Sequence, residues 1–193
     1  MTLAPSPPKL YSAEEYLALE VQSALRHEYR NGAVIPMTGG TPAHNEIARM
    51  LVFLLTGALR KQPYSIFVTD QRLWIPELDE YTYPDVMVTA RPPELQPGRR
   101  DTVVNPILVA EVLSGSTEQH DRGDKFQAYR TIAAFQEYVL IAQDKPCVEQ
   151  YVKQAENEWL LKEYRDLGAG FMLQSVGVEI ALADLYEVVG FSG

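Results

Sequence analysis

Cysteine is nearly absent from this sequence, which contains Cys147 as its one thiol among 193 residues. A single cysteine excludes an internal disulfide framework and any zinc site built from several cysteines. No apolar run approaches the roughly 18 residues that a membrane-spanning helix requires. The first eight residues lack the basic and apolar segments of a secretory signal. We therefore expect a cytoplasmic protein.

Basic side chains are also scarce. The 17 lysines and arginines face 26 aspartates and glutamates, which leaves a formal net charge of −9. Proteins whose binding depends on phosphate contacts usually carry the opposite balance. A function on nucleic acid would therefore need a local basic surface, divalent cations, or both.

The rest of the composition is that of an ordinary globular protein, with 46% hydrophobic and 22% charged residues. A chain of this length can bury about two-thirds of the surface of its unfolded state, and it fits one domain. Residues 1–9 are rich in proline and predict a disordered lead. We therefore expect a single domain over residues 10–193.

Three local signals predict where helices and turns begin. Ser12 opens a capping box that predicts a short helix to about Glu20. Asn31-Gly32 lies between two extended runs and predicts a type I′ hairpin, because both residues accept a positive φ. Thr41, followed by proline, predicts the start of a helix over residues 42–60, where apolar residues recur at the spacing of one helical face.

Runs typical of β-strands make up most of the remaining chain. Residues 107–113 are almost continuously apolar, which is typical of a strand covered on both faces. A helix over about residues 121–132 follows this strand. Further patterns predict strands over residues 64–75, 81–89, 137–142, 147–153, 158–164, 171–175 and 178–182, a loop over 90–105 and a final helical turn over 184–188. This mixture predicts an α/β (mixed α+β) fold.

Glu111 is out of place in its apolar strand, since a buried carboxylate is costly unless it is paired, protonated or bound to a metal. Asp85 is comparable, because it begins a hydrophobic run directly after Pro84. Alternation puts Glu111 on one face of its strand with Val109 and Leu113. Two such acids on neighbouring strands would provide the oxygen ligands that Mg²⁺ and Mn²⁺ prefer.

Lys125 lies in the helix that follows the Glu111 strand. A connection of this length can fold the helix back beside the strand and direct the ammonium group toward the two carboxylates. Such a site suits phosphodiester hydrolysis, because a metal polarises the phosphoryl oxygen and lowers the pKa of a water molecule. A nearby lysine would stabilise the added negative charge or position the water.

The order of these residues resembles a known nuclease superfamily. Asp85, Glu111 and Lys125 are similar to the PD-(D/E)XK pattern. More narrowly, VAEVLSGST at residues 109–117, followed by DRGDK at residues 121–125, resembles the Uma-two family of putative restriction endonucleases. Further segments that fit this family lie at residues 29–32, 44–45 and 137–140, and the resemblance covers roughly residues 10–187.

The resemblance implies a restriction-endonuclease-like fold, in which helices flank a central mixed β-sheet and the site lies at one end. It implies that Asp85 and Glu111 hold Mg²⁺, with Mn²⁺ as a substitute, and that the backbone carbonyl of Val112 is a third ligand. It also implies that Lys125 acts as the catalytic lysine. Glu46 would correspond to the glutamate that many of these nucleases add from a helix.

Leu113 departs from the wider superfamily motif, in which a lysine stands two residues after the glutamate. Lys125 would then supply the amine from the helix. The resemblance further implies DNA as the partner and a homodimer, because cutting both strands requires two sites. Four aromatic residues of the C-terminal half could form the dimer contact: Tyr151, Trp159, Tyr164 and Phe171.

Each candidate also has a structural interpretation. Glu111 could pair with a basic residue in the core, Asp85 could be a turn residue after proline, and Lys125 could be solvated. Glu46 could interact only with the helix dipole, and His44 could be a metal ligand, a base or simply polar. We interpret a further set as structural. Ser114, Ser116 and Thr117 shape the loop, Asp121 and Asp124 cap the helix or interact with its dipole, and Cys147 packs in a strand. Trp74 and Trp159 belong to the core or a dimer surface, and Arg91, Arg99 and Arg100 are solvated loop residues that could alternatively contact a phosphate.

Three functions fit these observations, in decreasing order of support. The first is a metal-dependent phosphodiesterase that cuts DNA as an endonuclease. The second is a nuclease-fold protein that has lost catalysis and serves as a binding or assembly module, which the net charge and the missing strand lysine favour. The third is a metal-dependent enzyme that acts on small phosphate compounds, because these need far less basic surface than duplex DNA.

Overall fold

Helix α1 (Ala13–Gln22) begins at the predicted capping box in the computed structural model, which describes residues 9–115 and 117–191. The Ser12 hydroxyl accepts a hydrogen bond from the Glu15 amide at 3.1 Å, and the Glu15 carboxylate accepts one from the Ser12 amide at 2.8 Å. The helix ends two residues beyond its predicted end. Residues 1–8 of the lead predicted over 1–9, and the loop role of Ser116, lie outside the described residues.

A tight hairpin joins strands β1 (His27–Arg30) and β2 (Ala33–Pro36). Its turn residues Asn31 and Gly32 have φ of 50° and 80°, as a type I′ turn requires. Helix α2 (Pro42–Ala58) follows, with Thr41 as its N-cap. Both predictions are confirmed.

Two runs that the pattern predicts as single strands are each divided in the structure. The first breaks at a turn closed by the Gln71 amide and the Val68 carbonyl, which separates β3 (Tyr64–Val68) from β4 (Arg72–Ile75). The second breaks at Pro84, between β5 (Glu80–Thr82) and β6 (Val86–Ala90). Proline cannot donate to a strand ladder, so a strand that passes through it is interrupted. The prediction of two continuous strands was wrong.

The remaining elements follow the predicted order with shifted ends. The predicted loop over 90–105 contains the two-residue strand β7 (Thr102–Val103). The predicted helix over 121–132 starts and ends three residues earlier, as α3 (Glu118–His120), a π-helical turn (Asp121–Lys125) and α4 (Phe126–Tyr129). The other elements are β8 (Pro106–Leu113), β9 (Glu137–Ala142), β10 (Val148–Ala155), β11 (Glu158–Tyr164), β12 (Gly170–Leu173), β13 (Val178–Ala181) and α5 (Leu182–Leu185).

The strands form one six-stranded sheet, one five-stranded sheet and one hairpin. The six-stranded sheet has the order β11-β10-β9-β8-β6-β3, and the five-stranded sheet has the order β2-β1-β5-β4-β7. Strands β8 and β9 pair in parallel, whereas the other pairs of the six-stranded sheet are antiparallel. The larger sheet is therefore mixed, and β8 lies in its interior.

The two faces of β8 pack into different hydrophobic clusters. Ala110 and Val112 face a cluster that contains the buried side of α2 and the β12-β13 hairpin. Val109 and Leu113 face a second cluster, which contains Tyr129 of α4. The predicted alternation is confirmed, so Glu111 emerges on the face that the α3–α4 segment covers.

Phe171 is the exception among the aromatic residues predicted at a dimer contact. Its side chain is buried in the core beside α2, so it is not available for a contact between chains. Across residues 9–115 and 117–191, we find no helix that combines the length and the apolar character needed to cross a membrane.

Candidate active site

The pairing of β6 with β8 brings Asp85 beside Glu111. Val86 lies opposite Ala110 in this antiparallel pair, and one further step along the register sets Asp85 opposite Glu111. The Asp85 amide donates to Glu111 Oε2 at 3.2 Å, and the Val112 amide donates to Asp85 Oδ2 at 2.8 Å. Each carboxylate thus accepts a hydrogen bond from the backbone of the neighbouring strand segment, at the point where the β6–β8 ladder ends.

Glu111 is almost completely buried, with 2% of the residue exposed. Its Oε1 accepts hydrogen bonds from Lys125 Nζ at 3.1 Å and from the Tyr129 hydroxyl at 2.8 Å. Burial raises the pKa of Glu111 to about 8; the charges of Asp85 and Asp121 add to this rise, whereas Lys125 opposes it. The carboxylate therefore sits where added positive charge would be strongly favoured.

Lys125 reaches the site from the π-helical turn and meets three carboxylates. Its Nζ lies 3.1 Å from Glu111 Oε1, 3.1 Å from Asp121 Oδ1 and 3.6 Å from Glu28 Oε1. Burial lowers the pKa of Lys125, but the surrounding acids outweigh burial and hold it well above its usual value. The ammonium is therefore charged, and the helix folds back on the strand as the spacing predicts.

Asp121 has a different place from the one that the sequence suggests. It was predicted to cap a helix, but its side chain is buried and forms an ion pair with Lys125 four residues later. Both residues belong to the π-helical turn, a feature that occurs often at functional sites. The prediction of a capping role for Asp121 was wrong, because the turn directs the carboxylate inward.

Glu28 connects the five-stranded sheet to the same cluster. It lies on β1 and accepts a hydrogen bond from the Thr82 hydroxyl at 2.5 Å. Burial raises the pKa of Glu28, but Lys125 and the Thr82 hydrogen bond outweigh burial and lower it below its usual value. Glu28 therefore stays ionised and adds negative charge beside Lys125.

Helix α2 contributes His44 to this cluster. His44 Nε2 lies 3.1 Å from Asp85 Oδ1. The hydrogen bond with Asp85 raises the pKa of His44, against the opposing effect of burial.

Glu46 is exposed to about 43% at its side chain and pairs with Arg49 on the same helix. Residues two apart on a helix do not share a face, so Glu46 points away when His44 points toward Asp85. Its catalytic role stays a prediction.

Leu113 occupies the strand position at which the wider motif has a lysine. The amine of the cluster is instead that of Lys125, which comes from the helix. Leu113 is buried in the cluster on that face of β8. Val112 donates its amide to Asp85, while the role predicted for its carbonyl stays a prediction.

Three residues of the cluster were missed by the sequence reasoning: Glu28, Asp121 and Tyr129. Period-two alternation in β1 sets Glu28 and Arg30 on one face, but nothing in the chain's order indicates that this face meets Lys125. Tyr129 falls within the predicted helix over residues 121–132, but no role in the site was predicted for it. Asp121 lies four residues before Lys125, and residues at this spacing face each other on a helix. This spacing could have indicated that Asp121 belongs to the cluster.

The donor atoms of the cluster are mostly carboxylate oxygens, which suit hard divalent cations. Within the described ranges, no group of three or more His, Cys, Asp or Glu side chains is arranged so that it could hold a metal ion. Mg²⁺ is usually held by one or two carboxylates together with waters and substrate phosphates, so the Asp85–Glu111 pair fits its requirements without a third side chain.

A cleft of about 420 Å³ opens beside the carboxyl ends of β8 and β9. Its charged lining is balanced, with Arg122 and Lys145 beside Glu118 and Asp144, and Gln143 also lines it. Gln143 forms a hydrogen bond with Thr41, the N-cap of the helix that carries His44. The cleft therefore adjoins the end of the sheet at which the carboxylates meet.

Known proteins are similar to this chain in sequence, and another is similar in fold. Two uncharacterized proteins of Synechocystis sp. are similar: sll1609 is 43% identical over 155 residues, which cover 80% of this chain and 88% of that protein. The second, slr1290, is 34% identical over 186 residues, which cover 95% of each chain.

The crystal structure of a putative nuclease of DUF820 from Anabaena variabilis superposes with a TM-score of 0.73 at 19% identity. The match covers 91% of this chain and 97% of that one, so the two share a fold, and the restriction-endonuclease-like architecture implied by the resemblance is confirmed. A family model described as Uma2, putative restriction endonuclease, matches residues 13–183. The chain therefore belongs to the Uma2 family of putative restriction endonucleases.

Proposed function

We propose that this chain is a metal-dependent nuclease that hydrolyses phosphodiester bonds in DNA. The observation that carries the proposal is the meeting of Asp85, Glu111 and Lys125 at one end of a mixed sheet. Membership of a family described as restriction endonucleases supports the reaction class. Residues 10–193 would act as a single nuclease-like domain.

Asp85 and Glu111 are proposed to hold Mg²⁺, for which Mn²⁺ can substitute, with the Val112 carbonyl as a further ligand. The charge of the cluster supports a cation there. Lys125 faces Glu28, Glu111 and Asp121, and Asp85 adds a fourth carboxylate. Four acids surround one ammonium, and the raised pKa of Glu111 indicates that ionising all four is unfavourable without further positive charge. A divalent cation would supply that charge.

When bound, the cation would supply a Lewis acid for the phosphoryl oxygen and lower the pKa of the attacking water. Asp85 and Glu111 would bind the cation through their carboxylate oxygens. The Tyr129 hydroxyl orients the Glu111 carboxylate by donating a hydrogen bond to it. Lys125 is proposed to donate to a phosphate oxygen, where it stabilises the negative charge that develops in the transition state. Its ion pairs with Asp121 and Glu28 hold the ammonium in reach of the carboxylate pair.

DNA would approach through the cleft at the end of the sheet. Lys145 and Arg122 line this cleft, but so do Glu118 and Asp144. Arg122 is paired with Glu118 and Glu149, so Lys145 would be the main basic contact for a phosphate. A metal ion would add positive charge at the same place. The cation, rather than a basic protein surface, would therefore have to offset the negative charge of the chain against a nucleic-acid substrate.

A homodimer is proposed, because two sites are needed to cut both strands. Strand β11 is at an edge of the six-stranded sheet, and its Leu160 and Leu161 are exposed to 42% and 45%. An unpaired edge that carries apolar side chains is a natural surface for pairing with another strand. A two-fold axis there would continue the sheet from one chain into its copy.

The test is a cleavage assay on supercoiled plasmid with Mg²⁺ or Mn²⁺, using the wild type, Glu111→Ala and Glu77→Ala side by side. Glu77 is an exposed acid in a turn and serves as the matched control. We expect the wild type and Glu77→Ala to nick the plasmid only with metal, and Glu111→Ala to be inactive. Equal cleavage by all three would contradict the assignment of the site.

A second candidate is a nuclease-fold module without catalysis, which binds a partner. The net charge of −9 and the engagement of both Glu111 oxygens in protein hydrogen bonds favour it. No cleavage by any variant under either metal would support this candidate. Metal-dependent hydrolysis of small phosphate esters, without cleavage of plasmid, would instead indicate an enzyme of small phosphate compounds.

A further inference from the structure

Asp85 is held at both of its carboxylate oxygens, by two different elements. The Val112 amide of β8 donates to Oδ2 at 2.8 Å, and His44 Nε2 of α2 lies 3.1 Å from Oδ1. The side chains of His44 and Asp85 are exposed to only 17% and 12%. The orientation of the carboxylate therefore depends on α2 as well as on the sheet.

The position of His44 is set by the residues that begin α2. The Thr41 hydroxyl accepts a hydrogen bond from the His44 amide at 3.1 Å, which fixes the backbone in the first turn. A Cβ atom built on Gly40 would lie 2.7 Å from His44 Cδ2 and 2.9 Å from Cγ. Distances this short are not tolerated between carbon atoms, so the imidazole occupies the space that the missing side chain of Gly40 leaves.

The second ring nitrogen of His44, Nδ1, does not help to hold the imidazole in place. His44 Nδ1 is buried and has no hydrogen-bond partner among the described residues. Burying a polar atom without a partner is unfavourable, so stability alone gives little reason for a histidine here. The contact with Asp85 is the interaction that its side chain makes.

We propose that His44 is a positioning residue of the metal site, that it orients the Asp85 carboxylate through Nε2, and that Gly40 is required to hold its ring there. His44 would thus take the place on α2 for which the sequence suggested Glu46. The inference rests on the proposed metal site. It concerns how Asp85 is oriented, and it assigns no proton transfer to His44.

Mn²⁺ binding by the metal-free protein, measured by calorimetry and by the electron paramagnetic resonance signal of free Mn²⁺, tests the inference without any nucleic acid. Groups that orient a metal ligand typically change affinity by about 10–100-fold, and we expect His44→Ala to weaken binding by that factor. His44→Gln should bind within a few-fold of the wild type, because its amide can donate at the position of Nε2.

Gly40→Ala and Gly39→Ala form a matched pair. A Cβ on Gly40 would displace the imidazole, whereas a Cβ on Gly39 meets nothing within 4 Å. We expect Gly40→Ala to weaken Mn²⁺ binding as His44→Ala does and Gly39→Ala to bind like the wild type. Because Gly40 acts through His44, adding Gly40→Ala to His44→Ala should cause no further loss.

Several outcomes would overturn the inference. Wild-type affinity in His44→Ala would remove the positioning role, and failure of His44→Gln to recover binding would mean that the hydrogen bond is not the reason. A further loss in the double variant would mean that Gly40 acts by another route. Thermal unfolding without metal identifies any variant that fails to fold. The Mn²⁺ affinities of the variants that fold then test the inference.

Asp85→Ala separates this inference from the proposed function. If the wild type and Asp85→Ala bind Mn²⁺ equally, or neither binds it, the metal site itself is wrong and the inference falls with it. If Asp85→Ala loses binding while His44→Ala and Gly40→Ala keep it, the metal site stands and only the role of His44 is overturned.

Discussion

At the level of single residues, the site depends on one buried ammonium with three acidic neighbours. Lys125 contacts Glu28, Glu111 and Asp121, which come from a hairpin, a strand and its own helical turn. Each acid raises the pKa of Lys125 and so keeps it charged, and Asp121 together with Asp85 makes the surroundings of Glu111 more negative. The cluster thus holds the Lys125 ammonium in place, and it also makes the surroundings of the Glu111 carboxylate favourable for a further cation.

Replacing Lys125 tests whether its charge serves catalysis. We expect Lys125→Met to lower kcat for plasmid cleavage by about 10²–10³-fold, as the loss of a group that stabilises transition-state charge does. Mn²⁺ affinity should not fall, because the side chain is not a ligand. Lys9→Met, a change at an exposed lysine, is the control. Unchanged kcat in Lys125→Met would show that the ammonium has only a structural role.

The raised pKa of Glu111 predicts how stability depends on pH without metal. Between its ordinary value of 4.5 and about 8, the native state keeps a proton that the unfolded state has released. The free energy of unfolding must therefore fall as pH rises through this window. His44, whose pKa is also raised, changes stability in the same direction.

Urea denaturation from pH 5 to pH 8 in a chelator measures this dependence. Glu111→Gln has no proton to release at this position, so its free energy of unfolding should fall less steeply with pH than that of the wild type. Parallel curves for the two proteins would contradict the assignment of the raised pKa to Glu111.

At the level of elements, a buried carboxylate also joins the β12-β13 hairpin to the central sheet. Glu137 of β9 is fully buried and accepts hydrogen bonds from the Gln174 amide at 3.1 Å and from the Ser175 amide at 2.9 Å. The Ser175 hydroxyl and the Gln150 amide group each donate at 2.5 Å. The Glu137 carboxylate therefore accepts hydrogen bonds from the backbone amides in the turn of the β12-β13 hairpin, and it ties this hairpin to the central sheet.

Glu137→Ala is expected to destabilise the protein by about 3 kcal/mol or more, since several buried donors would lose their acceptor. Glu179→Ala, an exposed acid on the same hairpin, should change the free energy of unfolding by less than about 0.5 kcal/mol. Urea denaturation followed by circular dichroism compares them. A small effect of Glu137→Ala would mean that water can replace the carboxylate.

At the level of the whole molecule, the two sheets and α2 converge at the site. The six-stranded sheet supplies Asp85 and Glu111, the five-stranded sheet supplies Glu28, and α2 supplies His44. Strand β11, which lies two strands away from β9 and three from β8 of the site, is an edge strand of the larger sheet with a neighbour on one side. Catalysis and the proposed chain pairing would therefore use different parts of the same sheet.

Light scattering tests the pairing through β11. We expect the wild type to have twice the 21.7 kDa mass of one chain. Leu161→Lys should lower the mass toward that of a monomer, because a charge on an edge strand opposes pairing. Leu167→Lys, a change at another exposed leucine, should keep the wild-type mass. A monomeric wild type would contradict the homodimer.

The sequence by itself determined the features that depend on neighbours in the chain. The capping box at Ser12, the hairpin at Asn31-Gly32 and the start of α2 were predicted because each depends on a few adjacent residues. The alternation in β8 identified Glu111, since a carboxylate in an apolar strand stands out at any position. The short connection to Lys125 restricted where that helix could fold.

The tertiary structure decided which distant residues meet at the site. Glu28 joins Lys125 only because β1 belongs to a second sheet that packs against the first. The break at Pro84 sends β5 and β6 to different sheets, which single-strand patterns do not indicate. His44 lies near Asp85 and Glu46 does not, because the rotation of α2 is set by its apolar face packing on the sheet. Such contacts depend on the packing of whole elements, and no local pattern encodes them.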